Sequence, residues 1–392
     1  MSGQIFRGPL PKTGCKRKID VLLKQPTTRT TNKMTDSHPL EMRARKLLGT
    51  VKDPETGRKL AKQIHSVAVE NNELNVQVGL TTFAAPLKTD FQEEIETLLN
   101  ENLSGEVEKI SVKITEHLRP AQPLGQVGLT AKAVIAVAAG KGGVGKSTVA
   151  TSLALALKNA GCKTGILDAD VYGPSIPQLT GVRGQVQKVD EKIQPLDFNG
   201  IPLMSIGFMV PPGQAVIWRG PMLHSAVTTF VRDTAWGDLD YLIIDMPPGT
   251  GDIALSLSQL LPLTGTVIVC TPQEVALIDA IKAVGMFRKV KIPILGLIEN
   301  MSSFLCPDNG KEYDIFGKGG AQKYAAEDDI QFLGDIPINI QLRERGDAGK
   351  MAANFDDENI APHLVKIAYN LAKTLAKNAA QNPVQAQLPV LG

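Results

Sequence analysis

The spacing of hydrophobic positions changes along the chain, and each change marks an element. Leu40–Leu48 reads as a short helix, followed by the turn sequence Asp53-Pro54-Glu55-Thr56-Gly57. Val67 and Val69 alternate with polar neighbours, and Leu74, Val76, Val78 and Leu80 alternate more cleanly, which predicts half-buried strands. Phe91, Ile95, Leu98 and Leu99 fall at helical spacing, and Ile110, Val112 and Ile114 return to alternation. Helix, strand, strand, helix, strand over residues 38–118 predicts a small α/β domain. Residues 119–130, with Pro and Gly and few apolar anchors, read as a linker.

From residue 131 the pattern becomes strand, helix, strand, helix. Apolar strands at Ala133–Ala138, Tyr241–Ile244, Thr266–Cys270 and Leu295–Ile298 alternate with helical stretches such as Val149–Leu157. This predicts an α/β fold with a doubly wound, mainly parallel sheet over residues 131–378. Leu364, Ile367, Leu371 and Leu375 give a terminal amphipathic helix whose narrow apolar stripe fits core packing better than a membrane surface. Residues 379–392 read as a disordered tail.

Between the strand Ala133–Ala138 and its helix stands Gly140-Lys141-Gly142-Gly143-Val144-Gly145-Lys146-Ser147-Thr148. Strand, Gly-rich turn and helix form the context in which G-x-x-x-x-G-K-[ST] is a P-loop. Its backbone N–H groups and the helix N-terminus suit the phosphates of ATP. Lys146 is expected on the β- and γ-phosphates and the Ser147 hydroxyl on Mg²⁺. Strand Lys163–Leu167 delivers Asp168 and Asp170 at its carboxyl end, where open α/β sheets bind ligands. Asp170 is the candidate for orienting the attacking water, and Asp168 for the Mg²⁺ shell; either could instead be a turn or capping aspartate. Strand Tyr241–Ile244 ends in Asp245, a Walker B acid for Mg²⁺. The loop Met246–Asp252 that follows has the Pro and Gly content of a switch.

Bulk composition narrows the partners. The net charge of +2 on 392 residues gives no reason to expect nucleic acid. No apolar run approaches the ~18–20 residues of a membrane helix, so no membrane insertion is expected. Cys15, Cys162, Cys270 and Cys306 are scattered, which fits a reducing, cytoplasmic setting rather than a disulfide framework. The five histidines show no metal-ligand spacing. Residues 1–37 are basic. A disordered tail, a start that truly lies at Met34, and an organellar transit peptide compete as readings of them.

The string GKGGVGKST resembles the deviant P-loop of the MinD/nitrogenase-iron-protein class of ATPases. In that class the lysine at position 141 reaches the partner subunit's site, which implies an ATP-dependent homodimer; the bland alternative is a solvated loop charge. Met204–Phe208 and Trp218–Met222 are similar to signatures of the Mrp/ApbC branch, a family of iron–sulfur cluster carriers that serve apoprotein clients. The turn at Asp53–Gly57 and the segment Leu80–Leu87 resemble the iron–sulfur assembly domain often fused ahead of such ATPases. That domain usually carries a cysteine where Ala84 and Ala85 stand here, so a docking or structural role is expected of it. Asn300 sits where the class reads the adenine edge, a task suited to an amide; a turn asparagine is the alternative.

The branch also carries C-P-x-C-G, whose two cysteines per subunit bridge a [4Fe–4S] cluster between copies. Here Cys306 is kept and Asn309 takes the second place. A cluster prefers four thiolates. Asp308 or an external thiol could complete the shell, or Cys306 binds no metal. The resemblance therefore implies an ATP-hydrolysing cluster carrier. The rival is a metal-free ATP-dependent switch acting on a protein or DNA partner.

Overall fold

The computed structural model describes residues 38–124, 129–171, 173–209 and 220–383. The expectations for residues 1–37, for Trp218 and Arg219, and for the end of the tail lie outside them.

The small domain consists of α1 (Pro39–Leu48), β1 (Ile64–Glu70), β2 (Glu73–Leu80), α2 (Lys88–Leu103) and β3 (Lys109–Glu116). β1 pairs antiparallel with β2, and β2 pairs parallel with β3. The alternation at Leu74, Val76 and Val78 puts these side chains inward, where all three are buried against Phe91, Ile95 and Leu99 of α2.

The larger domain adds strands β4 (Pro123–Leu124), β5 (Leu129–Ala138), β6 (Thr164–Asp168), β7 (Gln187–Val189), β8 (Lys192–Gln194), β9 (Leu196–Phe198), β10 (Ile201–Ser205), β11 (Leu239–Asp245), β12 (Gly265–Cys270), β13 (Ile294–Leu305), β14 (Glu312–Tyr313) and β15 (Phe332–Ile338). Its helices are α3 (Lys146–Asn159), α4 (Ile176–Thr180), α5 (Gly220–Asp233), α6 (Asp252–Leu260), α7 (Glu274–Lys289), α8 (Gly320–Glu327), α9 (Ile340–Asp347) and α10 (Ala361–Gln381). The main sheet runs β14-β13-β12-β5-β11-β6-β10-β9, with β15 on β13 and β4 on β5. The pairs β12/β5, β5/β11, β11/β6 and β6/β10 are all parallel. Every residue of β6, β11 and β12 is buried, because helices cover both faces of the sheet. Two boundaries differ from the sequence reading. Leu129 and Thr130 already belong to β5, whose ladder with β4 begins there. α10 runs to Gln381, past the expected end at 378.

The short 3₁₀ helix Thr82–Leu87 joins the two domains. Phe83 stacks on Tyr241 of β11, with centroids 4.7 Å apart and planes 7° from parallel. The Tyr241 hydroxyl donates to the Phe83 carbonyl at 2.8 Å. Beside this contact the turn at Asp53–Gly57 enters an ion-pair chain. Arg119 bonds Asp53 at 2.7 Å and Glu55 at 3.2 Å, and Lys132 bonds Glu55 at 3.3 Å and Asp240 at 2.9 Å. Ala84 is buried in this 3₁₀ helix. Phe83→Ala should lower stability by about 3 kcal/mol, the cost of a large buried aromatic, read as a shift of the urea midpoint. A change under about 1 kcal/mol would show that the junction contributes little.

Candidate functional site

The carboxyl ends of β5, β6 and β11 lie side by side, and each delivers one part of the site. β5 runs into the loop Gly140–Thr148, β6 ends at Asp168, and β11 ends at Asp245, in register with Asp168. The loop must pass very close to its neighbours. A Cβ on Gly140 would stand 2.0 Å from the Asp279 carbonyl of α7, and one on Gly145 would stand 2.1 Å from the Asn300 amide. Gly145 also has φ +80°, a left-handed value that favours glycine. The chain turns there into α3, whose N-terminus opens on the loop.

Lys146 is buried. Its Nζ lies 2.5 Å from Asp245 Oδ1 and 3.4 Å from Asp170 Oδ2. Asp168 is fully buried and held by three donors: Ser205 Oγ at 2.9 Å, the Asp170 N–H at 3.1 Å and the Ile176 N–H at 3.4 Å. Burial and the nearby Asp245 push the Asp168 carboxyl up to about 8. Burial also raises Asp245, against the pull of Lys146. Three carboxyl groups therefore crowd one ammonium, and a divalent cation placed among them would favour their ionised forms. Asp245 Oδ2 has no hydrogen-bond partner among the described residues, and Ser147 stands at the same end of the loop. The donor set fits Mg²⁺, which is ordinarily held by one or two protein oxygens together with phosphates and water. Phosphate and water oxygens would supply the rest of the shell.

Of the expected site residues, Gly140, Gly142, Gly143, Val144, Gly145, Lys146, Ser147 and Thr148 form the loop, and Asp168, Asp170 and Asp245 gather around Lys146. Lys141 is partly exposed. Asn300 is buried, and its amide donates to the Val144 carbonyl at 2.8 Å, so here it braces the loop. The sequence reading missed three polar groups. Ser175 Oγ donates to Ser147 Oγ at 3.0 Å. Ser205, inside the Met204–Phe208 string, holds Asp168. Glu299 is buried and accepts the N–H groups of Gly319 at 2.8 Å and Ala321 at 2.9 Å. The switch-like loop after Asp245 is tied to the P-loop strand, with the Gly249 N–H donating to the Ala139 carbonyl at 2.9 Å.

Cys306 follows directly on the far end of β13. Phe304 and Leu305 pair antiparallel with Tyr313 and Glu312, which makes residues 306–311 a hairpin turn. Asn309 closes that turn: its Oδ1 accepts the Lys311 N–H at 2.9 Å and its amide donates to the Tyr313 hydroxyl at 3.2 Å. Cys306 is partly exposed, whereas Cys162 and Cys270 are buried. Burial pushes the Cys270 thiol up to about 12. Leu305, Ile315 and Phe316 expose apolar surface around the hairpin.

Comparison with known proteins decides the family. Residues 130–372 match the model of the NUBPL iron-transfer P-loop NTPases, and residues 41–112 match that of iron–sulfur cluster assembly proteins. The chain belongs to the NUBPL-type iron-transfer P-loop NTPase family. An iron–sulfur cluster carrier protein of Deinococcus radiodurans is 43% identical over 352 residues, which cover 88% of this chain and 98% of that one. One from Synechocystis is 43% identical over 317 residues, covering 77% and 88%. A nucleotide-binding protein of Archaeoglobus fulgidus, solved with ADP, is 41% identical, with a TM-score of 0.52 over 57% of this chain and 88% of that one. The family places this chain among ATP-hydrolysing P-loop enzymes, in agreement with the loop and the parallel sheet. Lys146→Ala should weaken ATP binding by about 10- to 100-fold, since it removes a charge-assisted contact worth ~1.5–3 kcal/mol. Titration of a fluorescent ATP analogue measures this, and unchanged affinity would contradict the site.

Proposed function

We propose that this NTPase binds and hydrolyses ATP, holds an iron–sulfur cluster between two copies through Cys306, and transfers it to apoproteins. One observation carries the reading: the partly exposed Cys306 stands on a hairpin that continues the same strand as Asn300, which touches the nucleotide loop. The relatives named as cluster carriers support the cargo.

In the hydrolytic step the chain positions groups and neutralises charge. Lys146 exchanges its contact with Asp245 for the β- and γ-phosphates. Asp170, 3.4 Å from Lys146, aligns the attacking water. Asp168, fixed by Ser205, orders the shell beyond. Mg²⁺ held at Ser147 and Asp245 would neutralise charge between the β- and γ-phosphates. Lys141 reaches the phosphates of the partner copy. Two copies offer two Cys306 thiolates, and Asn309 is occupied by its turn. The remaining iron sites therefore fall to Asp308 or to an external thiol.

Lys141→Ala should leave ATP affinity within about two-fold while slowing hydrolysis about ten-fold or more, the scale of a lost charge at the transferring phosphate. An unaltered rate would remove the cross-subunit role. Anaerobic iron and sulfide reconstitution tests the cargo. Wild type should hold cluster iron with a visible charge-transfer spectrum, and Cys306→Ala should hold none. If neither binds iron, the rival reading of a metal-free ATP-driven switch replaces the carrier.

A further inference from the structure

β13 is the strand that reaches both the nucleotide loop and the cysteine hairpin, and three consecutive residues on it make the contacts. Asn300 points to the loop. Its amide holds the Val144 carbonyl at 2.8 Å and leaves no room for a side chain at Gly145. Glu299 points to the opposite face, as successive strand residues do. Its buried carboxylate takes the N–H groups of Gly319 and Ala321, where α8 begins. That is the point at which the chain returns from the hairpin. The segment 306–318 is thus anchored at one end by β13 itself and at the other by Glu299.

Met301 follows, with φ +60°. A long unbranched side chain seldom adopts this left-handed backbone, and such residues concentrate at functional sites and switches. The ladder to β15 loses register between Asn300 and Phe304, where a strand bends. The Met301 methyl lies 3.9 Å from the position a Cβ would take on Gly145. Within the irregularity, Ser302 Oγ donates to Asp335 Oδ2 at 2.9 Å, and the strand then runs on to Leu305, directly before Cys306.

We propose that Glu299, Asn300 and Met301 are positioning residues that couple the nucleotide loop to the cysteine hairpin, so that nucleotide occupancy sets the exposure of the Cys306 thiol. The meaning of that exposure rests on the carrier reading; the coupling does not. Phosphates draw the N–H groups of the loop toward them, which turns the Val144 peptide and its carbonyl, the acceptor of the Asn300 amide. Release of that bond lets Met301 leave the left-handed region. A change in one residue at a bend redirects all that follow, here the outgoing arm of the hairpin. Glu299 holds the return arm, so the two arms shift relative to each other at Cys306.

The test is alkylation of the full chain with N-ethylmaleimide, read by mass spectrometry on the Cys306 peptide, without nucleotide and with Mg²⁺ and a non-hydrolysable ATP analogue. In wild type the Cys306 rate should change by about five-fold or more, the lower end of ordinary allosteric coupling. Glu299→Gln and Met301→Gly should bind the analogue within about two-fold of wild type, yet show less than about a two-fold change at Cys306. Met301→Gly removes the backbone strain and keeps the test available if Glu299→Gln fails to fold. A wild-type rate indifferent to nucleotide overturns the coupling. So does a full response in Met301→Gly, because shielding by a partner copy alone would survive that variant. Iron loading is scored separately: iron on Cys306 without the thiol response sinks the coupling alone, and the response without iron sinks the carrier reading alone.

Discussion

One buried ammonium stands among three buried carboxyl groups, and the larger domain is arranged around that cluster. Lys146 touches Asp245 and Asp170, and Asp168 lies beside Asp245. Such a group of charges is costly in a dry interior. It is tolerable because each member is fixed from a different direction. Asp245 ends a strand buried along its whole length, Asp168 takes three hydrogen bonds, and Lys146 begins a helix. A cluster of this kind is matched to a ligand that brings both negative phosphate and a divalent cation. The parallel sheet supplies the geometry, since only parallel neighbours bring three strand ends to the same edge.

The opposite edge of the same strands holds the small domain. Lys132 lies near the start of β5 and Asp240 near the start of β11, the strands that lead to the P-loop and to Asp245. Glu55 bonds Lys132 and, through Arg119, joins Asp53. Each pair is at least partly shielded from water, so loss of one partner leaves a charge uncompensated. The stacking of Phe83 on Tyr241 adds an apolar contact to this chain of charges. The small domain thereby packs as a base under the strands of the site.

Much of the site was legible because its residues act through short-range spacing. A glycine-rich turn between a strand and a helix has few alternatives, and an aspartate at the end of an apolar strand can point to one edge only. What escaped were residues whose meaning depends on a distant partner. Ser205 looks ordinary until Asp168 is 2.9 Å away. Glu299 looks like a polar interruption in an apolar strand, and its two acceptor bonds lie twenty and twenty-two residues downstream. Asn300 was expected at the adenine edge, and its amide donates to the Val144 carbonyl, 156 residues away in the chain. Single residues with long-range partners leave no period to detect.

Asn309 shows how local turn chemistry bears on the cargo. A tight hairpin after Leu305 leaves the Lys311 N–H pointing into the turn, and an asparagine side chain accepts it well. Sulfur is a weak acceptor, so a cysteine at 309 would hold this turn less firmly while adding a thiolate. The chain has the firmer turn and the smaller donor set. On the carrier reading this has a physical consequence. A cluster bound by fewer protein thiolates exchanges its remaining ligands more readily, and incoming cysteines of a client can enter without first displacing protein sulfur. A carrier must release what it binds, and weaker retention favours transfer over storage. The rigid turn then ensures that the remaining thiol is presented at a fixed place.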